Sequence, residues 1–299
     1  MATLKKHRIL ILGVSGYLGS AIYKELHSYY QTFGTYRTPL LALQNNKQFF
    51  HYNFEEDDIF EILNVVKPTI IISALRGDFA AQLTAHKHVF EYIISQKKCK
   101  MIFLSSANVF DAYSKFPSYE NDTTLSNSVY GHFKIRLEQL FLKLSPEKVA
   151  ILRLPMVFGV PSPRINVLKL HLELDSPIEL FPNLIMNVIS DKKVTQQLHY
   201  IINRNKHGVF HLGSKDLVHH DDFIKDLVSK IVILFMISAI QAFLFVLVGN
   251  FILGIQGLWF EYWWALFSIA TFSNMLGLNL SSAFNSAVSI VIPHFSIEA

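Results

Sequence analysis

The chain of 299 residues carries 27 Lys and Arg against 23 Asp and Glu, a formal net charge of +4, and is 51% hydrophobic but only 17% charged. A mild basic excess without a basic run gives no ground for a nucleic-acid partner, and a single cysteine, Cys99, excludes an internal disulfide. Every Lys and Arg lies at or before Lys230, and residues 231–299 hold only Glu261 and Glu298 as charged side chains, so the chain is divided between two solvents.

In chain order, the apolar run after Lys5, Lys6, His7 and Arg8 is about five residues long, too short for a signal peptide. It predicts a strand, Ile9 to Leu12, that breaks into a turn punctuated by Gly13, Gly16 and Gly19, with Ser15, Tyr17 and Leu18 between them, before a helix running to Leu26. Such a turn lets phosphate oxygens approach the amides of a helix start; the same three glycines also serve an ordinary strand-to-helix turn. A second strand, Phe33 to Arg37, ends on a cation where dinucleotide folds select the adenosine ribose. Arg37 there suits the 2′-phosphate of NADP, or is simply a solvated arginine at a strand end.

A third strand is expected over Phe49 to Asn53, followed by EEDDIFEILNVV, a helix whose acidic start complements its dipole. Thr69 to Ser73 reads as a strand covered on both faces, Phe79 to Gln96 as a helix, Met101 to Ser105 and Val149 to Leu154 as two further apolar strands. The alternation predicts an α/β fold: a Rossmann-type, doubly wound parallel sheet of six strands with helices on both faces. Cys99, just ahead of a buried strand, reads as a structural thiol.

At the end of the fifth strand stands Ser105-Ser106-Ala107-Asn108-Val109-Phe110, and further on comes Tyr130-Gly131-His132-Phe133-Lys134. On a helix Tyr130 and Lys134 are four apart and share a face. An ammonium beside a phenol favours the phenolate, which makes the tyrosine a usable proton donor and acceptor near neutral pH, and a serine hydroxyl can hold a substrate oxygen in line.

With GVSGYLG at 13–19, SSANVF at 105–110, YENDTT at 119–124, YGHFK at 130–134 and LRLPMVFG at 152–159 in this order, residues 6–230 resemble the extended short-chain dehydrogenase/reductase superfamily. The similarity is to its branch of dTDP-4-dehydrorhamnose reductases and NAD-dependent epimerase/dehydratases. The resemblance implies Ser106, Tyr130 and Lys134 as catalytic serine, general acid and ribose-binding lysine, with hydride from NADP(H) by preference or NAD(H), and a nucleotide-linked ketosugar as substrate. It also implies Asn53 near the adenine, the run Ser73-Ala74-Leu75 in place of an Asn-x-Ala element, Arg153 on the sixth strand and a homodimer as an assembly. Ser106-Ala107-Asn108 departs from the Thr-Asp-Tyr run of the reductases. His132 is expected to point away from the site. His219 and His220 with Asp221 and Asp222 read as a helix start rather than a metal site.

These readings divide the chain into a dinucleotide-binding domain at 1–160, a substrate lobe at 161–230 and a hydrophobic tail at 231–299. Ile231 to Ile255 carries no charge and is long enough to span a bilayer, and a second apolar stretch from Tyr262 to about Leu280 opens on Trp263 and Trp264. The preferred reading is a membrane tether of two short helices over 231–280, with a buried helical pair completing the substrate lobe as the other. Lys225 and Lys230 before the first span place the large domain in the cytoplasm by the positive-inside tendency. Residues 276–293 are similar to a segment of ABC-2/ABCG-type transporter permeases.

Overall fold

The computed structural model describes residues 7–38, 43, 46–113, 117–159, 162–215, 217–253 and 259–276. They form two compact units, one of residues 1–157 with 191–213, the other of residues 158–190 with 214–299.

The first unit is built on a seven-stranded sheet in the order β3-β2-β1-β4-β5-β6-β9, and its six pairings are all parallel. Its strands are β1 Arg8–Leu12, β2 Gln31–Tyr36, β3 Phe49–His51, β4 Ile70–Ser73, β5 Lys100–Ser106, β6 Val149–Leu154 and β9 Gly208–His211, and β7 (Met156–Phe158) is not part of it. β1, β4, β5 and β6 are buried along nearly their whole length, which is why they read as continuous apolar runs rather than alternating ones. The chain order reverses between β1 and β4, where Leu12 sits beside Ser73, and a ligand crevice opens outside the carboxyl ends at such a switch point. The sheet has one strand more than expected, because the GVFH segment of the anticipated substrate lobe adds itself beside β6.

Side-chain caps set the helix starts. Asp58 accepts from the Phe60 amide ahead of α2 (Ile59–Val66), Asp78 from Ala81 ahead of α3 (Phe79–Ser95) and Ser128 from Gly131 ahead of α4 (Val129–Phe141). Each bond satisfies an amide that the first helical turn leaves without a partner. The acidic run at 55–58 is therefore not the first turn of α2: only Asp58 caps, and the helix begins one residue later. α2 buries Ile59, Ile62, Leu63 and Val66 while Val65 is exposed. Cys99 lies buried, with its thiol pushed up to about 12 by desolvation, in keeping with a structural role. α1 (Tyr17–Leu26) packs with α6 (Asp191–Asn203), and residues 191–213 belong to the first unit rather than with residues 158–190.

The second unit contains α5 (Pro163–Glu173), with Ser162 as its cap, and an antiparallel pair in which β8 (Ile185–Ser190) matches Asn187 with Leu217 of β10 (Leu217–His219). The Asn187 amide donates to the Ser214 carbonyl at 2.6 Å and accepts from the Ser214 amide at 3.0 Å. α7 runs unbroken from His220 to Leu253 because no proline or mid-helix breaker separates HDDFIKDL from the apolar run. It is joined to α8 (Trp259–Leu276), whose Trp263 indole donates to the Ala239 carbonyl at 3.2 Å.

Among the described residues one helix, over His220–Val248, is long and apolar enough to cross a membrane. Two such spans were expected; α8 opens on Trp259, Glu261, Tyr262, Trp263 and Trp264, a composition that suits an interface better than a bilayer centre. The transporter-like stretch at 276–293 lies almost wholly outside the described residues.

Candidate active site

The glycine turn forms the first wall of the site. Gly13 leaves β1 at φ +83, where a side chain would be strained, and its amide donates to Thr35 Oγ1 at 3.0 Å while Val14 N donates to Thr35 O at 2.8 Å. The turn is thereby fastened to the end of β2. At Gly19 a Cβ would stand 2.1 Å from the Gly13 carbonyl oxygen, so only glycine lets α1 start this close to the turn. Gly16 precedes α1 with no side-chain cap, leaving the first-turn amides to another acceptor. A cradle that a Cβ would fill, beside an uncapped helix start, fits the pyrophosphate of a dinucleotide. Ser15 is exposed at its lip and Leu18 half-buried. Burial, with the Asp191 carboxylate next, pushes the Tyr17 phenol far up, so Tyr17 stays neutral and packs.

The second wall lies at the ends of β2, β3 and β4. Arg37, one residue past β2, pairs its Nη1 with Glu55 Oε1 at 3.3 Å, and its guanidinium carbon lies 5.8 Å from the Phe54 ring. Asn53 is taken up by its own loop: Oδ1 accepts from Glu55 N at 3.3 Å and the Asn53 amide donates to Asp57 Oδ2 at 2.6 Å. Ser73 turns inward, with its Oγ 2.7 Å from His86 Nε2, while His86 Nδ1 lies 2.6 Å from the Gln82 carbonyl. A carbonyl only accepts, so Nδ1 carries the proton and the Ser73 hydroxyl donates to Nε2. His86 is fully enclosed, and desolvation holds it down to about 4. Of the run Ser73-Ala74-Leu75, the Ala74 carbonyl faces the Gly13 turn and Leu75 packs on the core.

The third wall carries Ser106, Tyr130 and Lys134, the residues expected to do acid–base work. Ser106 ends β5, donates its hydroxyl to Asn108 Oδ1 at 2.9 Å and accepts from the Asn108 amide at 3.2 Å. α4 starts directly against this loop: a Cβ on Gly131 would stand 2.4 Å from the Asn108 carbonyl oxygen and 1.9 Å from Ser126 Oγ. Asp111 adds a second tie, accepting from the Asn127 amide at 2.6 Å and from the Ser128 hydroxyl. Tyr130 is 41% exposed, its ring 5.6 Å from Lys134 Nζ and 6.2 Å from the Phe79 ring. His132 faces solvent.

Lys134 is buried and donates to the Leu104 carbonyl at 2.9 Å. Desolvation lowers it to about 8, with the Glu138 carboxylate pulling the other way and Arg76 adding to the fall. Below the site, Glu138 accepts from Ser105 and from Arg153 Nη2 at 2.8 Å, and both partners of the ion pair are about 96% enclosed. Arg153 Nη1 also donates to the Glu120 carbonyl at 3.1 Å and lies 3.3 Å from His211 Nε2. Glu138, Glu120 and His211 were not anticipated. A charge inside VAILRL requires a buried partner, and Glu138 stands one helical turn beyond Lys134; together these signals point to the pair. Among the described residues no three His, Cys, Asp or Glu converge as a metal site.

A parallel sheet with a glycine turn at its switch point and a Tyr-x-x-x-Lys helix against the end of β5 defines an extended short-chain dehydrogenase/reductase domain. The family model described as the RmlD substrate binding domain matches residues 7–233, and the chain belongs to that family. Solved structures share the fold. The dTDP-glucose 4,6-dehydratase of Bacillus anthracis in complex with NAD is 13% identical with a TM-score of 0.64, covering 74% of this chain and 80% of its own. A hypothetical dTDP-4-dehydrorhamnose reductase from Sulfolobus tokodaii is 19% identical with a TM-score of 0.61, covering 75% and 82%. The enzyme WbmG of Bordetella bronchiseptica, in complex with NAD and UDP, is 15% identical with a TM-score of 0.63, covering 75% and 78%. No curated protein matches the chain.

The NADP preference expected from Arg37 is corrected by these findings. The Bacillus and Bordetella structures hold NAD, and Arg37 itself is already paired with Glu55 rather than standing as an unneutralised cation. The family match ends at residue 233, so it lends nothing to the transporter resemblance of the tail.

Proposed function

We propose that the chain is an NAD-dependent reductase or epimerase of a nucleotide-linked ketosugar, with Tyr130, Lys134 and Ser106 as its acid–base apparatus. The observation that carries the reading is the Gly131 contact, which lets the Tyr130-Lys134 helix start against the loop that follows Ser106. Bound NADH would supply hydride to the carbonyl carbon of the sugar.

Tyr130 gives its phenolic proton to the carbonyl oxygen as that oxygen gains charge, completing the alcohol; in the reverse direction the phenolate takes the proton back. The Lys134 ammonium stabilises the phenolate, and its hydrogen bond to the Leu104 carbonyl fixes where the charge stands. The Ser106 hydroxyl, steered by Asn108, exchanges that partner for the substrate oxygen. Gly13, Ser15, Gly16, Leu18 and Gly19 form the pyrophosphate cradle, with Tyr17 packed behind it. α7 attaches the catalytic part to the cytoplasmic face of a membrane, since Lys225 and Lys230 precede its apolar run and Val232, Met236, Ile240 and Phe243 are exposed.

The test is turnover by the full chain across a panel of nucleotide-linked ketosugars, read as NADH consumption for a reductase and as epimer formation without net NADH consumption for an epimerase. The parent turns over at least one, and Tyr130→Phe is slower by about 10²- to 10⁴-fold with unchanged circular dichroism. NADH binding without turnover of any ketosugar, or an undiminished Tyr130→Phe rate, contradicts the reading.

A further inference from the structure

The Arg37–Glu55 pair sits where the adenosine ribose of a dinucleotide meets the sheet. Arg37 follows the last residue of β2, and Thr35, two residues earlier, fastens the Gly13 turn through both its hydroxyl and its carbonyl. In this fold the end of the second strand selects the ribose: a carboxylate there accepts from the 2′-hydroxyl, and a cation receives a 2′-phosphate. This chain presents the cation on β2 and brings the carboxylate from elsewhere, the loop after β3.

That loop is held firmly. The Asn53 side chain and carbonyl accept from the amides of Glu55, Glu56 and Asp57, and Asp57 returns a bond to the Asn53 amide. Phe54, buried at 8% exposure, lies under the Arg37 guanidinium, and Glu55 closes on its Nη1. Both charges stay about half exposed, so the pair adds little to stability. Its effect on a ligand is larger in proportion, because a 2′-phosphate brought to Arg37 also meets the Glu55 carboxylate.

We propose that Glu55 is the residue that excludes NADP, by neutralising Arg37 and repelling a 2′-phosphate, while its carboxylate remains available to the 2′-hydroxyl of NAD. The proposal rests on the NAD reading above and names the side chain that enforces it. Three of the four acidic residues at 55–58 then divide their work: Glu55 selects, Asp57 braces the loop and Asp58 caps α2. Glu55→Gln keeps the shape and removes the charge at an exposed site where the fold does not depend on it.

The experiment is a fluorescence titration of the full chain in detergent with NADH and with NADPH, at low and at high salt. Glu55→Gln shifts the NADPH-to-NADH affinity ratio toward NADPH by about tenfold at low salt, and the shift shrinks as salt screens the phosphate. Arg37→Ala placed on top of Glu55→Gln abolishes the gain, showing that it passes through the guanidinium. A parent that binds NADH while Glu55→Gln leaves the ratio unmoved overturns this proposal alone. A parent that binds neither dinucleotide overturns the cofactor reading with it.

Discussion

Two arginine–glutamate pairs stand on this sheet, and they work in opposite regimes. Arg153–Glu138, under the ends of β5 and β6, is enclosed on both sides and joined by Ser105, Glu120 and His211. Arg37–Glu55, at the ends of β2 and β3, is half open to water on both sides. An enclosed pair loses its hydration on folding and is tolerable only when every remaining donor is met, so removing one partner strands a charge. An exposed pair costs and contributes little, which leaves its side chains available to tune a ligand. The end of the site proposed to do chemistry is therefore rigidly braced, and the end proposed to choose the dinucleotide is adjustable.

The contrast is broken most severely at Glu138. Glu138→Ala should lower unfolding free energy by about 3–5 kcal/mol, read from denaturant midpoints, because Arg153 is left buried and unpaired. Glu138→Leu combined with Arg153→Met should recover much of that loss, since it removes both charges. A Glu138→Ala chain as stable as the parent would deny the brace.

A smaller effect comes from His86. Its folded value near 4 lies below the ordinary 6.5, so between these the unfolded chain binds the extra proton and stability rises with pH. The contribution is present above about pH 6.5 and is lost as pH falls toward 4, at most roughly 3 kcal/mol. Thermal unfolding scanned over that window should lose part of its slope in His86→Gln. Lys134 has the same sign at higher pH: held near 8 against 10.5, it makes stability rise between those values as the buried ammonium is relieved of its proton. The rate should instead decline above about pH 8, as the charge that supports the Tyr130 phenolate is lost. Least of all, Glu55→Gln should change stability by under about 1 kcal/mol while moving dinucleotide preference.

Much of the braced region could be read in advance, because burial on both faces writes β1, β4, β5 and β6 as unbroken apolar runs, and the Gly13–Gly19 spacing marks the switch point. The positions of Ser106 at the end of β5 and of Tyr130 and Lys134 on one helix were legible from order and helical spacing. What escaped was whatever depends on long-range contact. Nothing local says that GVFH at 208–211 joins the sheet beside β6, since a short strand of half-buried residues has no burial signal of its own. Arg37 looked like a free cation because Glu55 lies 18 residues away on another strand end, and Ser73 looked available because its partner is on α3. The tail was legible as apolar, yet the continuity of α7 from His220 was obscured by the change of composition at Lys230, which alters the solvent and not the helix.

The most direct measurement is the fate of deuterium from NADH labelled at its transferable position, followed with the full chain and a nucleotide-linked ketosugar that it reduces. Label should appear on the carbinol carbon of the product, formed far more slowly by Tyr130→Phe but at the same position. Product free of label, or label transferred equally fast without the phenol, would contradict the proposed reaction.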